Sequence, residues 1–183
     1  MAQTAKTMEG KRVLVTGAGT GIGPGVALAF AREGADVVLH YGHSEAGARS
    51  TAEQVRKMGG RAETIAADFD KIDQVLGLAR DAIGFLGGID VLVNNSGITM
   101  NKPFEDVTVE QFDTLFNVNI RAMFFLTQAA AADMATRGQG SVINLTSVHA
   151  YMGMTEHSVY AATKGAIVAF TREVALELAP KGI

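Results

Sequence analysis

The stretch R-V-L-V-T-G-A-G-T-G-I-G-P-G, residues 12–25, decides the fold. An apolar, β-branched run passes without a spacer into a string of glycines, and the string passes into V-A-L-A-F-A-R-E-G, a segment of helical period. A strand, a glycine turn and a helix in that order form the first unit of a nucleotide site. Glycines let the chain turn tightly, let backbone approach a pyrophosphate, and let the helix N-terminus aim free N–H groups at the anion. Pro24 suits a first helical turn, where its missing N–H costs little. The spacing is G-x-x-x-G-x-G at Gly17, Gly21 and Gly23; neither G-x-G-x-x-G nor a phosphate loop ending in Gly-Lys-Ser/Thr is present in this turn. A tight turn with glycines for geometry alone is the competing account.

Outward from this turn, short β-branched runs recur at 35–41, 61–67, 89–95 and 141–147, following the first at 12–17. Between them lie segments of helical length and period at 24–33, 44–58, 71–86, about 104–136 if its two parts join, and 158–179. Strands separated by helices imply right-handed βαβ units and a parallel sheet. Runs such as V-L-V-N-N, apolar rather than alternating, fit strands covered on both faces. The expected fold is α/β: a doubly wound parallel sheet in a three-layer αβα Rossmann arrangement, with residues 1–183 as one dinucleotide-binding domain.

Composition agrees with one such domain: 183 residues, 48% hydrophobic and 19% charged. Net charge is −3 and the isoelectric point about 5.8, with no basic stripe, so nucleic acid and anionic membranes are not expected partners. The absence of cysteine excludes disulfides, thiolate metal sites and cysteine nucleophiles. No metal site is expected. The first residues lack the apolar stretch of a signal peptide and no apolar run reaches membrane length, so a cytoplasmic protein is expected.

The chemistry is concentrated near residue 160. In S-V-Y-A-A-T-K-G-A, residues 158–166, Tyr160 and Lys164 are separated by one helical turn and share a face. A free phenol titrates at about pH 10 and is a poor base at neutrality, and an adjacent ammonium stabilises its phenolate. Alone, such a pair is usually a snorkelling lysine beside a half-buried ring. Ser147, however, ends the fifth strand run thirteen residues earlier, at the end of a parallel sheet that faces the ligand crevice. A positioned hydroxyl, a phenol and a cation beside a nucleotide turn make a proton-transfer site the stronger reading.

Together these motifs resemble the short-chain dehydrogenase/reductase family: Thr16-Gly17 with Gly21 and Gly23, Asn94-Asn95-Ser96-Gly97, Asn119, Ser147, and Tyr160 with Lys164, in the family's order and spacing. The resemblance runs from about residue 10 to the last residue. It implies hydride transfer between NAD(P) and an alcohol or carbonyl, with Tyr160 as general acid/base, Ser147 holding the substrate oxygen, Lys164 also bonding the nicotinamide ribose, and Asn119 bending the backbone and fixing a water beside Lys164. Asn117 is the competing asparagine by motif alone. Implied cofactor contacts are Gly17, Thr20, Gly21, Ile22 and Gly23 in the turn and Tyr41 and Ser44 after the second strand. Asp68 would meet the adenine, with a helix cap as its alternative, and Asn94, Ser96 and Gly97 would shape the adenosine side, with Ser96 standing where alanine is usual.

The second strand ends in H-Y-G-H-S, 40–44, with no acid until Glu45. An acid there would favour NAD through the ribose 2′-OH. Tyr41 occupies the position at which NAD-preferring members carry aspartate, and Thr20 and Gly42 occupy positions often taken by arginine in NADP-preferring ones. His43 and Ser44 can donate to a phosphate, so NADP is favoured, with NAD the alternative. The loop 149–159 is expected to line the substrate crevice with His149, Glu156 and His157 beside Tyr151, Met152 and Met154. It suggests a sugar or polyol, or else a 3-oxoacyl thioester.

The helical segments near 104–136 and 158–179 are apolar over more of their circumference than one sheet face covers, which predicts a homodimer or homotetramer, with covering by neighbouring helices of the same chain as the competing account. Helix-breaking Pro180 and Gly182 stand where the family continues into further strands and a substrate lid, so a truncated chain that turns over weakly is expected. Two other classes remain. One is a nucleotide-binding module without turnover; the other is an S-adenosylmethionine methyltransferase, in which Tyr160 and Lys164 after Ser147 would have no role.

Overall fold

The computed structural model describes residues 6–183. The signal-peptide reading rests partly on residues 1–5, which lie outside the described residues. Five strands, β1 (Arg12–Val15), β2 (Asp36–Tyr41), β3 (Ala62–Ala66), β4 (Val91–Asn94) and β5 (Ser141–Asn144), form one sheet in the order β3-β2-β1-β4-β5. All four pairings are parallel. The sequence order reverses direction between β1 and β4, which is where an open parallel sheet splits into a crevice.

Each strand is shorter than its apolar run. β1 ends at Val15 because Thr16 and Gly17 leave the ladder to build the turn, and β5 ends at Asn144, so Ser147 belongs to the loop after the strand rather than to the strand. Alternate residues point to opposite faces. Leu14, Val38 and Leu92 pack on one face under α3 (Ile72–Leu86) and α5 (Ala122–Ala135), through Leu78, Ala82, Leu126 and Met134. Val13, Val15, Val37, Leu39 and Val93 pack on the other face under α1 (Ile22–Arg32) and α2 (Glu45–Lys57), through Ala27, Ala31, Ala52 and Val55. This is the three-layer arrangement expected from strands apolar on both faces.

The long helical segment is jointed. A 3₁₀ turn at Phe104–Asp106 precedes α4 (Val109–Phe116), which Thr108 opens with a capping box: Thr108 Oγ1 accepts from Gln111 N at 3.3 Å and Gln111 Oε1 from Thr108 N at 3.1 Å. One π-helical turn at Asn117–Arg121 then joins α4 to α5 without a break. The last helix, α6 (Ser158–Leu178), runs beside β5: Asn144 Nδ2 donates to Thr171 Oγ1 at 3.0 Å and Thr146 Oγ1 to the Lys164 carbonyl at 2.8 Å. β5 forms a sheet edge, and Ile143 on its other face is 44% exposed.

Leu126 is fully buried against the central strands. Leu126→Ala is expected to cost about 3 kcal/mol through lost transfer energy and a residual cavity. Urea unfolding followed by far-UV circular dichroism checks this, with the loss read as a lower midpoint at unchanged slope.

Candidate active site

The ends of β1 and β4 are stitched together by one buried hydroxyl. Thr16 Oγ1 accepts from Asn95 N at 3.0 Å and Ser96 N at 2.9 Å while donating to the Val93 carbonyl at 3.3 Å. Asn95 Nδ2 donates back to the carbonyls of Thr16 at 2.8 Å and Gly17 at 3.1 Å. Gly17 sits at φ +64°, a left-handed conformation that glycine adopts without a Cβ penalty. A Cβ on Gly23 would collide with the Gly17 carbonyl, so α1 passes the turn at a separation only glycine allows. No side chain caps α1 at Gly21, which leaves its first N–H groups free for an anion. These features fit a pyrophosphate.

Gly17, Thr20, Gly21 and Ile22 line one wall of a cleft of about 600 Å³. Tyr41, Ser44 and Asp68 line the next wall, and Ser96 and Gly97 line the third. Ser44 stands at the start of α2 without a side-chain cap bond. Asp68 accepts from Asp70 N at 3.0 Å and pairs with Lys71 at 3.3 Å, and these contacts, the Asp70 N–H foremost, hold its carboxyl below the usual range. Its alternative role, a helix cap, is not what it forms, since Lys71 holds the cap position of α3. Asn94 is placed differently from its neighbours. It is buried and its amide donates to Thr127 Oγ1 at 3.0 Å and Asn144 Oδ1 at 2.8 Å, away from the cleft, whereas Asn95 lines it.

At the far end of the cleft the remaining candidates converge. A Cβ on Gly97 would lie 3.3 Å from Asn119 Oδ1 and 3.4 Å from Lys164 Nζ. Lys164 is 5% exposed, and its Nζ donates to the Leu145 carbonyl at 3.1 Å and lies 5.6 Å from the Tyr160 ring centroid. Burial pulls its ammonium below the ordinary lysine range. Asn119 accepts from Ile98 N at 2.8 Å and donates to the Ile98 carbonyl at 2.9 Å and Thr163 Oγ1 at 3.1 Å. Asn117 faces elsewhere, donating to Asp70 Oδ1 at 2.8 Å. Ser147 and Tyr160 share a neighbour: the His149 ring lies edge-on to Tyr160 at 5.3 Å, and its Nδ1 is 3.1 Å from Ser147 Oγ. Lys164 and Asn119 thus adjoin the cleft behind Gly97, with Tyr160 beside Lys164 and Ser147 linked to Tyr160 through His149, while none of these four side chains lines the cleft itself.

The short chain dehydrogenase family model matches residues 11–183. The chain belongs to this family. A hydroxynaphthalene reductase-like protein of Metarhizium robertsii is 41% identical over 182 residues, covering 99% of this chain and 67% of that protein. An acetoin dehydrogenase from Enterobacter cloacae superposes with a TM-score of 0.90 at 35% identity, over 93% of this chain and 68% of that one. A 7α-hydroxysteroid dehydrogenase complexed with NADH and 7-oxo glycochenodeoxycholic acid does so with a TM-score of 0.93 at 32% identity, over 100% of this chain and 71% of that one. The chain therefore spans about two thirds of the length of these relatives. Like the family, it is an NAD(P)-linked oxidoreductase acting between CH–OH and C=O in small molecules.

His40 is one of the cleft residues, with Asn95, to which sequence reasoning assigns no task. It is buried and stacks on Phe69 with ring centroids 4.2 Å apart. Its Nε2 donates to the Ala67 carbonyl at 3.0 Å, so its Nδ1 is the acceptor for Gly17 N at 3.2 Å. The signal lay in V-V-L-H at 37–40, where a strand covered on both faces carries its histidine inward. Desolvation lowers its pKa from 6.5 to about 4. The unfolded chain therefore binds this proton more readily, and the contribution present above pH 6.5 is lost as pH falls toward 4, by about 3 kcal/mol in all. Urea titrations from pH 7 to 4 are expected to show this loss, and His40→Gln to flatten it.

Proposed function

We propose that the chain reduces a ketone to a secondary alcohol, and reverses that reaction, with Tyr160 giving and taking the proton at the substrate oxygen. The observation that carries this is the buried Lys164 ammonium, 5.6 Å from the Tyr160 ring and beside Gly97 where the cleft ends. When bound, the nicotinamide cofactor supplies or accepts the hydride. Gly17, Gly21 and Gly23 would leave room for its pyrophosphate, with Thr20 and Ile22 beside it, Asp68, Ser96 and Gly97 toward the adenosine, and Tyr41 and Ser44 at the ribose. Asn94 would support that wall from behind through β5 and α5.

During reduction the substrate carbon gains the hydride and its oxygen gains the Tyr160 proton. Ser147 Oγ–H donates to the same oxygen and stabilises the charge that develops there. Lys164 sets its positive charge beside the ring that gives up the proton, and Asn119 holds the backbone of Ile98, which lines the cleft.

NADP is the preferred cofactor in this reading, because the β2 end offers Tyr41, Gly42, His43 and Ser44 to a 2′-phosphate and no carboxylate against it. The mixed composition of the 149–157 loop, two imidazoles with the exposed Tyr151, Met152 and Met154, supports a sugar, polyol or related hydroxyketone over an oxoacyl thioester in this reading. Residues 1–183 act as one dinucleotide-binding domain of a cytoplasmic protein that pairs as a homodimer or homotetramer. Supporting the pairing, Phe124 on α5 is 41% exposed and Leu176 on α6 is 74% exposed, and a groove of about 310 Å³ runs between the two helices.

Two measurements test this. Following NADPH and NADH absorbance with sugars, polyols, hydroxyketones and oxoacyl compounds, Tyr160→Phe is expected to lower kcat by about 10²–10⁴-fold while cofactor binding persists. Equal rates would remove Tyr160 from the mechanism, and binding without turnover in the wild type would leave a nucleotide-binding module. Tyr41→Asp is expected to weaken NADPH by about tenfold or more relative to NADH, since it sets a carboxylate against the phosphate. An unchanged ratio in fluorescence titrations would remove this position from cofactor choice.

A further inference from the structure

Between β5 and α6 two imidazoles stack, His149 on His157, with ring centroids 4.8 Å apart. His149 is tied to Ser147 twice. Its backbone N–H donates to Ser147 Oγ at 3.3 Å, and its ring Nδ1 lies 3.1 Å from the same oxygen. The other ring nitrogen, Nε2, is buried and has no hydrogen-bond partner. A neutral imidazole carries one N–H and one bare nitrogen. With the proton on Nε2, a buried N–H would lack an acceptor, which folded proteins rarely tolerate. With the proton on Nδ1, that N–H donates to Ser147 Oγ and only a bare nitrogen is left unpaired. Ser147 Oγ then accepts two N–H groups, which uses both of its lone pairs and leaves its own proton without an acceptor on residue 149.

We propose that His149 is a positioning residue that, as its Nδ1–H tautomer, fills the acceptor sites of Ser147 Oγ and so directs the Ser147 hydroxyl proton to the substrate oxygen. This rests on the role given to Ser147 above. In the opposite tautomer the hydroxyl would donate to His149 Nδ1, and a substrate carbonyl would meet lone pairs. Two N–H donors on Oγ also polarise the hydroxyl, which strengthens its bond as the substrate oxygen becomes negative. The rings behind it fix the imidazole plane: His157, anchored by its Nδ1 donating to the Thr155 carbonyl at 2.7 Å, lies against one face, and Tyr160 meets His149 edge-on.

Nitrogen NMR of ¹⁵N-histidine-labelled full chain reads the tautomer directly, without turnover. The expected result is Nδ1–H at His149 in the wild type and loss of that preference in Ser147→Ala. An Nε2–H tautomer in the wild type overturns the proposal. In kinetics, His149→Phe keeps the ring and loses the nitrogen, and is expected to lower kcat by about tenfold or more with KM little changed. His149→Asn, whose amide can reach Ser147 Oγ, is expected to restore most of it. On a Ser147→Ala background His149→Phe is expected to cost less than about twofold, because its effect passes through Ser147. An equal cost on both backgrounds overturns the proposal. If Ser147→Ala is costly and His149→Phe is not, this inference fails alone. If Ser147→Ala leaves kcat unchanged, the role of Ser147 fails and the inference falls with it.

Discussion

Parallel strands end where their backbone groups run out of neighbours, and in this sheet the places where β1 and β4 end are joined through the hydroxyl of Thr16. That oxygen takes the N–H groups of Asn95 and Ser96, which have left the ladder, and gives its proton to the Val93 carbonyl. Without it the turn after β4 would leave Ser96 N without its partner, at about 1–3 kcal/mol for an unpaired donor, and Asn95 N with the Val93 carbonyl at 3.1 Å alone. With it, the glycine turn and the 95–97 turn form opposite walls of one cleft held at fixed separation. The His40 ring extends the same support to a third element, because it bridges Gly17 N to the Ala67 carbonyl beyond β3. A histidine in this place must stay neutral to accept from Gly17. Burial enforces that, which explains why a basic side chain can serve in the floor of an anion site without competing for the anion.

The α/β class, all five strands and most helix bounds were legible because period and glycine placement depend only on local sequence. Where strands stop was less so. Runs such as 89–95 and 141–147 extend past the last strand residue into Asn95 and into Leu145-Thr146-Ser147, where side-chain bonds set the turns: Asn95 turns back on Thr16, and Ser147 caps the next turn through His149 N. The asparagine pair shows the same limit. Asn94 is the last residue of β4 and Asn95 the first of the turn after it, and only Asn95 lines the cleft. A motif names both. The sheet's register decides that Asn94 is spent on joining β4 to β5 and α5.

The imidazoles were the least legible part. His40 and His149 lie far apart in sequence, and neither has a partner at a spacing that marks chemistry. Each acquires its task from what packs around it, Phe69 and Gly17 in one case, His157 and Ser147 in the other. In both, one nitrogen faces a backbone or hydroxyl group of the site. Tyr160 and Lys164 were legible for the opposite reason, since their spacing alone puts them on one helical face.

The π turn at Asn117–Arg121 shows how one local irregularity serves both ends of the cleft. Residues two apart on a helix project to roughly opposite sides, and residues four apart to the same side. Asn117 and Arg121 accordingly grip Asp70, through its carboxylate at 2.8 Å and its carbonyl at 2.6 Å, and steady the turn beyond β3. Asn119, between them, turns inward to the Ile98 backbone and Thr163. A regular helix through this segment would offer the same alternation, but its N–H and carbonyl groups would follow a single axis from α4 into α5. The wide turn closes larger hydrogen-bonded rings than the helices on either side, so the side chains of α5 leave it in a different phase from those of α4. Thr114 of α4 lines the cleft, Asn119 within the turn holds Ile98 and Thr163, and Leu126 and Met134 of α5 pack on the sheet, so one joint divides the segment between cleft and core.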